Sequence, residues 1–245
     1  MMKNETKKLV TLMRKTADTH GQSIDNVLSQ FVEMTYQYAV TGTYSRDYAY
    51  LVNEHSDFIT YLMESMKRHP YFDYFAEIMV ELGKFDKRMC QCMTPPELTD
   101  AVTRMMLANK PLEGKVCEFT CGTGSFVLEA IKVHVKDNNR SKPLELLIND
   151  LDNRLVKITV IQCLFNLWVN NFEELQTIHI LAFQNNVLTE YLKNGFVVYD
   201  NDPRKIQEPY VMRFVEHKRE ECIHNMHLRM LSFLSGKSPN VDQAA

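Results

Sequence analysis

The chain of 245 residues suits one sizeable domain, or a small domain joined to a medium one. With 45% apolar and 24% charged residues it has core enough to fold without disulfide or metal staples, and its 8 Gly and 8 Pro argue against long loops. A net charge of −3 gives no global electrostatic reason to bind nucleic acid, so such a partner would need a local basic face.

The first third reads as helices. Val10, Leu12 and Met13 open an apolar face, and after a polar break at 18–22 the residues Ile24, Val27, Leu28, Phe31, Val32, Met34 and Tyr38 recur at helical spacing. Segments 48–66 and 71–82 continue the pattern, with His69-Pro70 as the break between them and Gly83 as a C-cap. Residues 1–88 are thus expected to form an N-terminal helical region, 89–235 a core, and 236–245 a tail. Thr94-Pro95-Pro96-Glu97 reads as a capping box with proline at the first helical position, starting a helix that runs through Met105-Met106. Short β-like segments then alternate with helices: strand 115–119, helix 125–135, strand 144–148, helix 156–170, and strands 177–183 and 196–199. A long closing helix is expected over 212–234. The alternation implies an α/β core with a partial parallel sheet and right-handed crossovers. The start of the chain lacks an apolar signal-peptide core, and no apolar run reaches the ~18 residues of a membrane span. The six cysteines are scattered, and together these features point to a reduced cytoplasmic compartment with no membrane partner.

Glu118-Phe119-Thr120-Cys121-Gly122-Thr123-Gly124 follows the first strand and opens a helix. Gly122 and Gly124 permit close backbone approach to a ligand, and the helix start offers unpaired N–H groups. Alone, such a turn is as readily structural as ligand-binding. Asp150 closes the second strand, where an acidic side chain can take the hydroxyls of a ribose. Its competing reading is an Asx turn or N-cap, and Asp152 competes for either role. Together the two features point to a nucleoside-bearing cofactor at the carboxyl ends of the strands, without choosing between S-adenosylmethionine and NAD.

Gln91-Cys92-Met93-Thr94-Pro95 resembles the Gln-aromatic-aromatic-Thr-Pro segment of adenine-N6 DNA methyltransferases, in particular the modification subunits of type I restriction systems. Glu118 to Phe126 is similar to that family's Asp-Pro-x-Cys-Gly-Thr/Ser-Gly-Gly loop. Asp150 stands where the family has its ribose-binding acid, Asn166-Leu167 matches its Asn-Leu, and Gln184 to Leu188 resembles its Gly-Asp-Ser/Thr-Leu. The resemblance spans roughly residues 70–200 and implies a Rossmann-like, S-adenosylmethionine-dependent methyltransferase core. It implies that Thr94 and Pro95 lie near the methionine end of the cofactor. Glu118, Thr120, Gly122 and Gly124 would cradle it, Asp150 would bind its ribose, and Asn186 would touch its adenine. The partners it implies are DNA, a specificity or restriction subunit, or a second copy of the chain.

The family's catalytic segment is Asn/Asp-Pro-Pro-Tyr/Phe, and here its counterpart is Asn201-Asp202-Pro203-Arg204. Asn201 and Pro203 fall in register as the candidate catalytic pair, with Asn201 accepting the target amino group. Asp202 replaces the first proline and Arg204 the aromatic, so the flat apolar stack on a flipped base is weakened. A full methyltransferase sheet has about seven strands, yet 45 residues follow Asp200 and they read mainly as helix. The alternative expectation is therefore an inactive methyltransferase-fold protein that binds cofactor, DNA or a restriction–modification partner. An NAD oxidoreductase is disfavoured because the loop is not Gly-x-Gly-x-x-Gly. His217, Cys222, His224 and His227 lack a second ligand pair of recognised spacing, so no metal is expected.

Overall fold

The computed structural model describes residues 2–84, 93–107, 112, 114–136, 143–187 and 196–201. Gln91, Cys92, Pro203, the closing helix expected over 212–234 with its histidines, and the tail lie outside the described residues.

Four helices come first: α1 (Met2–His20), α2 (Ile24–Thr41), α3 (Val52–Arg68) and α4 (Tyr74–Leu82). Local chemistry sets their ends. Ser23 accepts from Asn26 N to cap α2, and Gly42 closes it in the left-handed region at φ 69°. The helix expected from residue 48 begins at Val52 instead. A 3₁₀ turn, Arg46–Leu51, precedes it and is kinked at Tyr48, where φ is −112°. The helix expected from residue 71 likewise starts at Tyr74, because Asp73 takes the N-cap by accepting from Ala76 N at 2.9 Å. Tyr71 itself has a positive φ of 61°, which no helix continues through.

The α/β part follows as α5 (Pro96–Leu107), β1 (Gly114–Glu118), α6 (Ser125–Lys136), β2 (Leu144–Asp150), α7 (Asn153–Asn170), β3 (Ile178–Gln184) and β4 (Phe196–Asp200). The first carbonyl of the α5 ladder is that of Pro95, which accepts from Leu98 N and Thr99 N, one residue later than a Thr94 cap requires. Asp152 caps α7 by accepting from Arg154 N at 2.8 Å. The sheet order is β1-β2-β3-β4, with β1, β2 and β3 parallel.

The fourth strand departs from the parallel arrangement that the strand–helix alternation implied. It pairs antiparallel to β3, with an irregularity at Ala182/Phe183. A parallel return usually takes a crossover of a dozen or more residues, and the connection 185–195 falls just short of that. The fold is therefore α/β with a helical N-terminal region and a small, mixed, mostly parallel sheet.

The core is built around α7. Leu144, Leu146 and Ile148 of β2 and Ile178, Ile180 and Ala182 of β3 alternate onto one face and are buried. α7 packs there and is buried nearly all round, from Leu155 to Leu167. Its other sides take α2 and α3, so one cluster of buried side chains runs from Leu9 to Tyr199. Among the described residues no helix is long and apolar enough to cross a membrane.

Candidate functional site

The carboxyl ends of the parallel strands carry the convergent polar groups. β1 ends at Glu118, the chain turns through Phe119 to Gly124, and α6 starts at Ser125. The turn is tied to its neighbours at several points. Cys121 N donates to Asn149 O at 2.8 Å, Gly124 N to Cys121 O at 2.9 Å, and Gly122 N to Asp150 Oδ2 at 2.9 Å. Glu118 Oε1 accepts from both the amide and the hydroxyl of Thr120, at 3.2 and 3.3 Å. Buried Asn149 donates from Nδ2 to Phe119 O and to Asn185 O, both at 3.0 Å, which links the ends of β1, β2 and β3.

The two glycines are required on different grounds. Gly122 has φ 55° with open space where a side chain would stand. Gly124 has φ 104°, and a Cβ there would meet Thr159 Cγ2 of α7 at 2.9 Å. The close approach at Gly124 is thus to the protein's own helix, and the accessible side of the turn is at Gly122. Thr159 Oγ1 also donates to Gly122 O at 3.0 Å and holds the turn down on α7.

Asp150 takes the Asx-turn role weighed for it. Its Oδ1 accepts from Asp152 N at 3.0 Å in an Asx turn, while Oδ2 holds the Gly122 amide. A carboxylate has about four lone-pair positions, so acceptor capacity is left for hydroxyls of a ligand. The N-cap role belongs to Asp152. Cys121 is buried against this turn, and burial pushes its thiol up to about 12, which leaves no thiolate nucleophile at neutral pH.

The segment of Thr94 and Pro95 approaches the same place: the Met93 sulfur lies 3.6 Å from the Thr123 hydroxyl oxygen. Asn185 N donates to Asp150 O at 3.2 Å, which puts Asn186 next to the Asp150 strand end. Glu118, Thr120, Gly122, Gly124 and Asp150 thus stand at one edge of the sheet, with Thr94, Pro95 and Asn186 next in sequence to residues that touch it.

Asn201 is not among them. Because β4 runs antiparallel, its end lies beside the start of β3, on the opposite edge. Asn201 Oδ1 accepts from Ile180 N at 2.6 Å and Nδ2 donates to Ile178 O at 3.1 Å, so the amide extends the strand ladder. At ~3.3 Å per residue, four to six strand positions separate it from Gln184 by about 15 Å. The candidate catalytic Asn201 thus stands apart from the glycine turn. Its intended companion Pro203 is outside the described residues.

No family model, curated protein or solved structure matches this chain.

Four residues that the sequence reading passed over, or left without a role, shape the site: Asp73, Thr159, Gln162 and Asn166. Gln162 Nε2 donates to Thr123 O at 2.7 Å and to Asp73 Oδ1 at 2.8 Å. Asn166 accepts from Tyr71 N at 2.6 Å and donates to Gln162 O at 2.8 Å. Their signal was present, since Thr159, Gln162 and Asn166 form a polar stripe at helical spacing on an otherwise apolar helix. Beside the turn lies a cavity of ≈ 300 Å³, lined by Arg68, Tyr71, Asp73, Thr99, Ser125 and Lys132 among others.

Proposed function

We propose that this chain is an S-adenosylmethionine-binding protein with a Rossmann-like, methyltransferase-type core. The observation that carries the reading is the bond between the Gly122 amide and the Asp150 carboxylate. It joins a glycine turn and an acidic strand end at the carboxyl edge of parallel strands, where nucleoside cofactors bind in open α/β sheets. The adjacent Thr94-Pro95 segment and the Cys-Gly-Thr-Gly sequence favour S-adenosylmethionine over NAD, through the resemblance to adenine-N6 DNA methyltransferases. In this reading Gly122 offers the accessible backbone, Asp150 takes the ribose hydroxyls, and Asn186 stands on the adenine side.

The placement of Asn201 favours a cofactor-binding role over adenine methylation. A methyltransferase of this type needs an acceptor for the target amino group within reach of the transferred methyl, and Asn201 is bonded to β3 at the other edge. We therefore read the protein as a non-catalytic, methyltransferase-like module acting with DNA or with a restriction–modification partner. Incubation with tritiated S-adenosylmethionine and unmethylated DNA tests this. Cofactor retention without label in the DNA is expected, and transfer of label to the DNA would overturn it.

A further inference from the structure

We propose that Asp73, a residue of the helical region, positions the glycine turn for its ligand. This rests on the reading of that turn as an S-adenosylmethionine cradle. An N-cap aspartate needs one oxygen for its helix, and Asp73 does more. Its Oδ1 caps α4 through Ala76 N at 2.9 Å and also accepts from Gln162 Nε2 at 2.8 Å. Its Oδ2 accepts from the hydroxyls of Thr123 and Ser125, each at 2.6 Å. These two residues flank Gly124, so one buried carboxylate grips the turn on both sides of its most constrained position.

The segment that delivers Asp73 is itself held in an unfavourable conformation. Tyr71 has φ 61°, a region that residues other than glycine rarely occupy. Such strain persists only where surroundings over-determine it, and here α7 supplies them. Tyr71 N donates to Asn166 Oδ1 at 2.6 Å and Tyr71 OH to Asn171 Oδ1 at 2.5 Å. The helical region therefore supplies an anchor to the turn that the β1–α6 connection lacks by itself. A turn held in its bound shape beforehand costs its ligand less ordering on binding.

Asp73→Asn keeps a good N-cap side chain but turns one acceptor oxygen into a donor facing two hydroxyls. Thr123→Val removes one of those hydroxyls and leaves the carboxylate in place. Both variants, in the full chain, are to be measured by titration calorimetry with S-adenosylmethionine and by amide hydrogen exchange without ligand. The expected result is binding weakened about tenfold in Asp73→Asn, the size of one lost hydrogen bond to a charged group. Exchange is expected to rise at 122–126 while α1 to α3 keep their protection, and Thr123→Val should move both readouts in the same direction by less. Unchanged affinity in both variants against a binding wild type would overturn the proposal, as would exchange that rises evenly through the chain. If the wild type gives no heat with S-adenosylmethionine, the functional reading fails. The exchange pattern then still decides the anchoring, with a local rise supporting it and no rise at 122–126 refuting it. Should Asp73→Asn fail to fold, Thr123→Val carries the same test.

Discussion

Gly122 and Gly124 both sit at positive φ, yet substitution should separate them. Gly122→Ala meets open space and costs only the left-handed conformation, about 1 kcal/mol. Gly124→Ala adds a contact of 2.9 Å to Thr159 Cγ2, and a loss of about 3 kcal/mol is expected. Thr159→Ser removes that methyl while keeping the hydroxyl on Gly122 O, so it should recover part of the loss; urea denaturation of the four proteins checks the ordering. A second residue sets a pH dependence. The ring of His55 is buried among Phe31, Tyr44 and Phe58, and the burial pushes its pKa down from 6.5 to about 4. The Thr35 hydroxyl donates to Phe31 O at 2.6 Å and so accepts from His55 Nε2–H at 2.8 Å, which leaves Nδ1 without a partner. Protonation is favoured in the unfolded chain, so this contribution to stability is complete above pH 6.5 and is lost as pH falls to about 4. The full loss amounts to about 3 kcal/mol. His55→Phe should flatten the profile between those limits, as read from urea midpoints.

At the scale of elements, the direction of β4 separates folding from ligand binding. Asn201→Ala leaves the buried Ile180 amide without its partner and should cost about 2 kcal/mol of stability. It should leave binding of S-adenosylmethionine unchanged, because the side chain serves the far edge of the sheet. Weaker binding at unchanged stability would show that Asn201 belongs to the cofactor site after all. The helices were legible because their apolar residues recur at one period and Gly83 closes α4. The strands and the glycine turn were legible from alternation and from Cys-Gly-Thr-Gly. What was not legible depended on contacts between distant residues. Tyr71 leaves the helical region through its bonds to Asn166 and Asn171, about a hundred residues away. The reversal of β4 was foreshadowed by the short connection 185–195, but an apolar strand reads the same in either direction. The glycine turn and the Asp150 strand end were legible from local signals, whereas the role of Asp73 was not, because its partners Thr123, Ser125 and Gln162 lie 50 to 89 positions away.

For the whole molecule, the central feature is that α7 serves two neighbours, with the sheet on one side and α2 and α3 on the other. Lys157 of α7 reinforces this by pairing with Glu33 of α2 at 2.6 Å, and Tyr36 of α2 donates its hydroxyl to Val198 O in β4. Because the buried cluster is continuous from α1 to β4, the helical and α/β parts should unfold together. Trp168, the single tryptophan, lies on α7 and packs against Phe165, so its fluorescence reports that shared helix. Fluorescence and far-ultraviolet circular dichroism should give coincident urea transitions, and an earlier loss of helical signal would mean that the N-terminal helices fold as a separate unit. The same continuity lets a residue before α4 act on a turn after β1, which makes the cofactor turn a property of the assembled molecule. Cofactor binding at this turn is most directly tested by titration calorimetry of the wild type with S-adenosylmethionine and with NAD, repeated for Asp150→Ala. Saturable heat with S-adenosylmethionine alone, lost in Asp150→Ala, is the predicted result; no heat with S-adenosylmethionine, or heat with NAD instead, would contradict it.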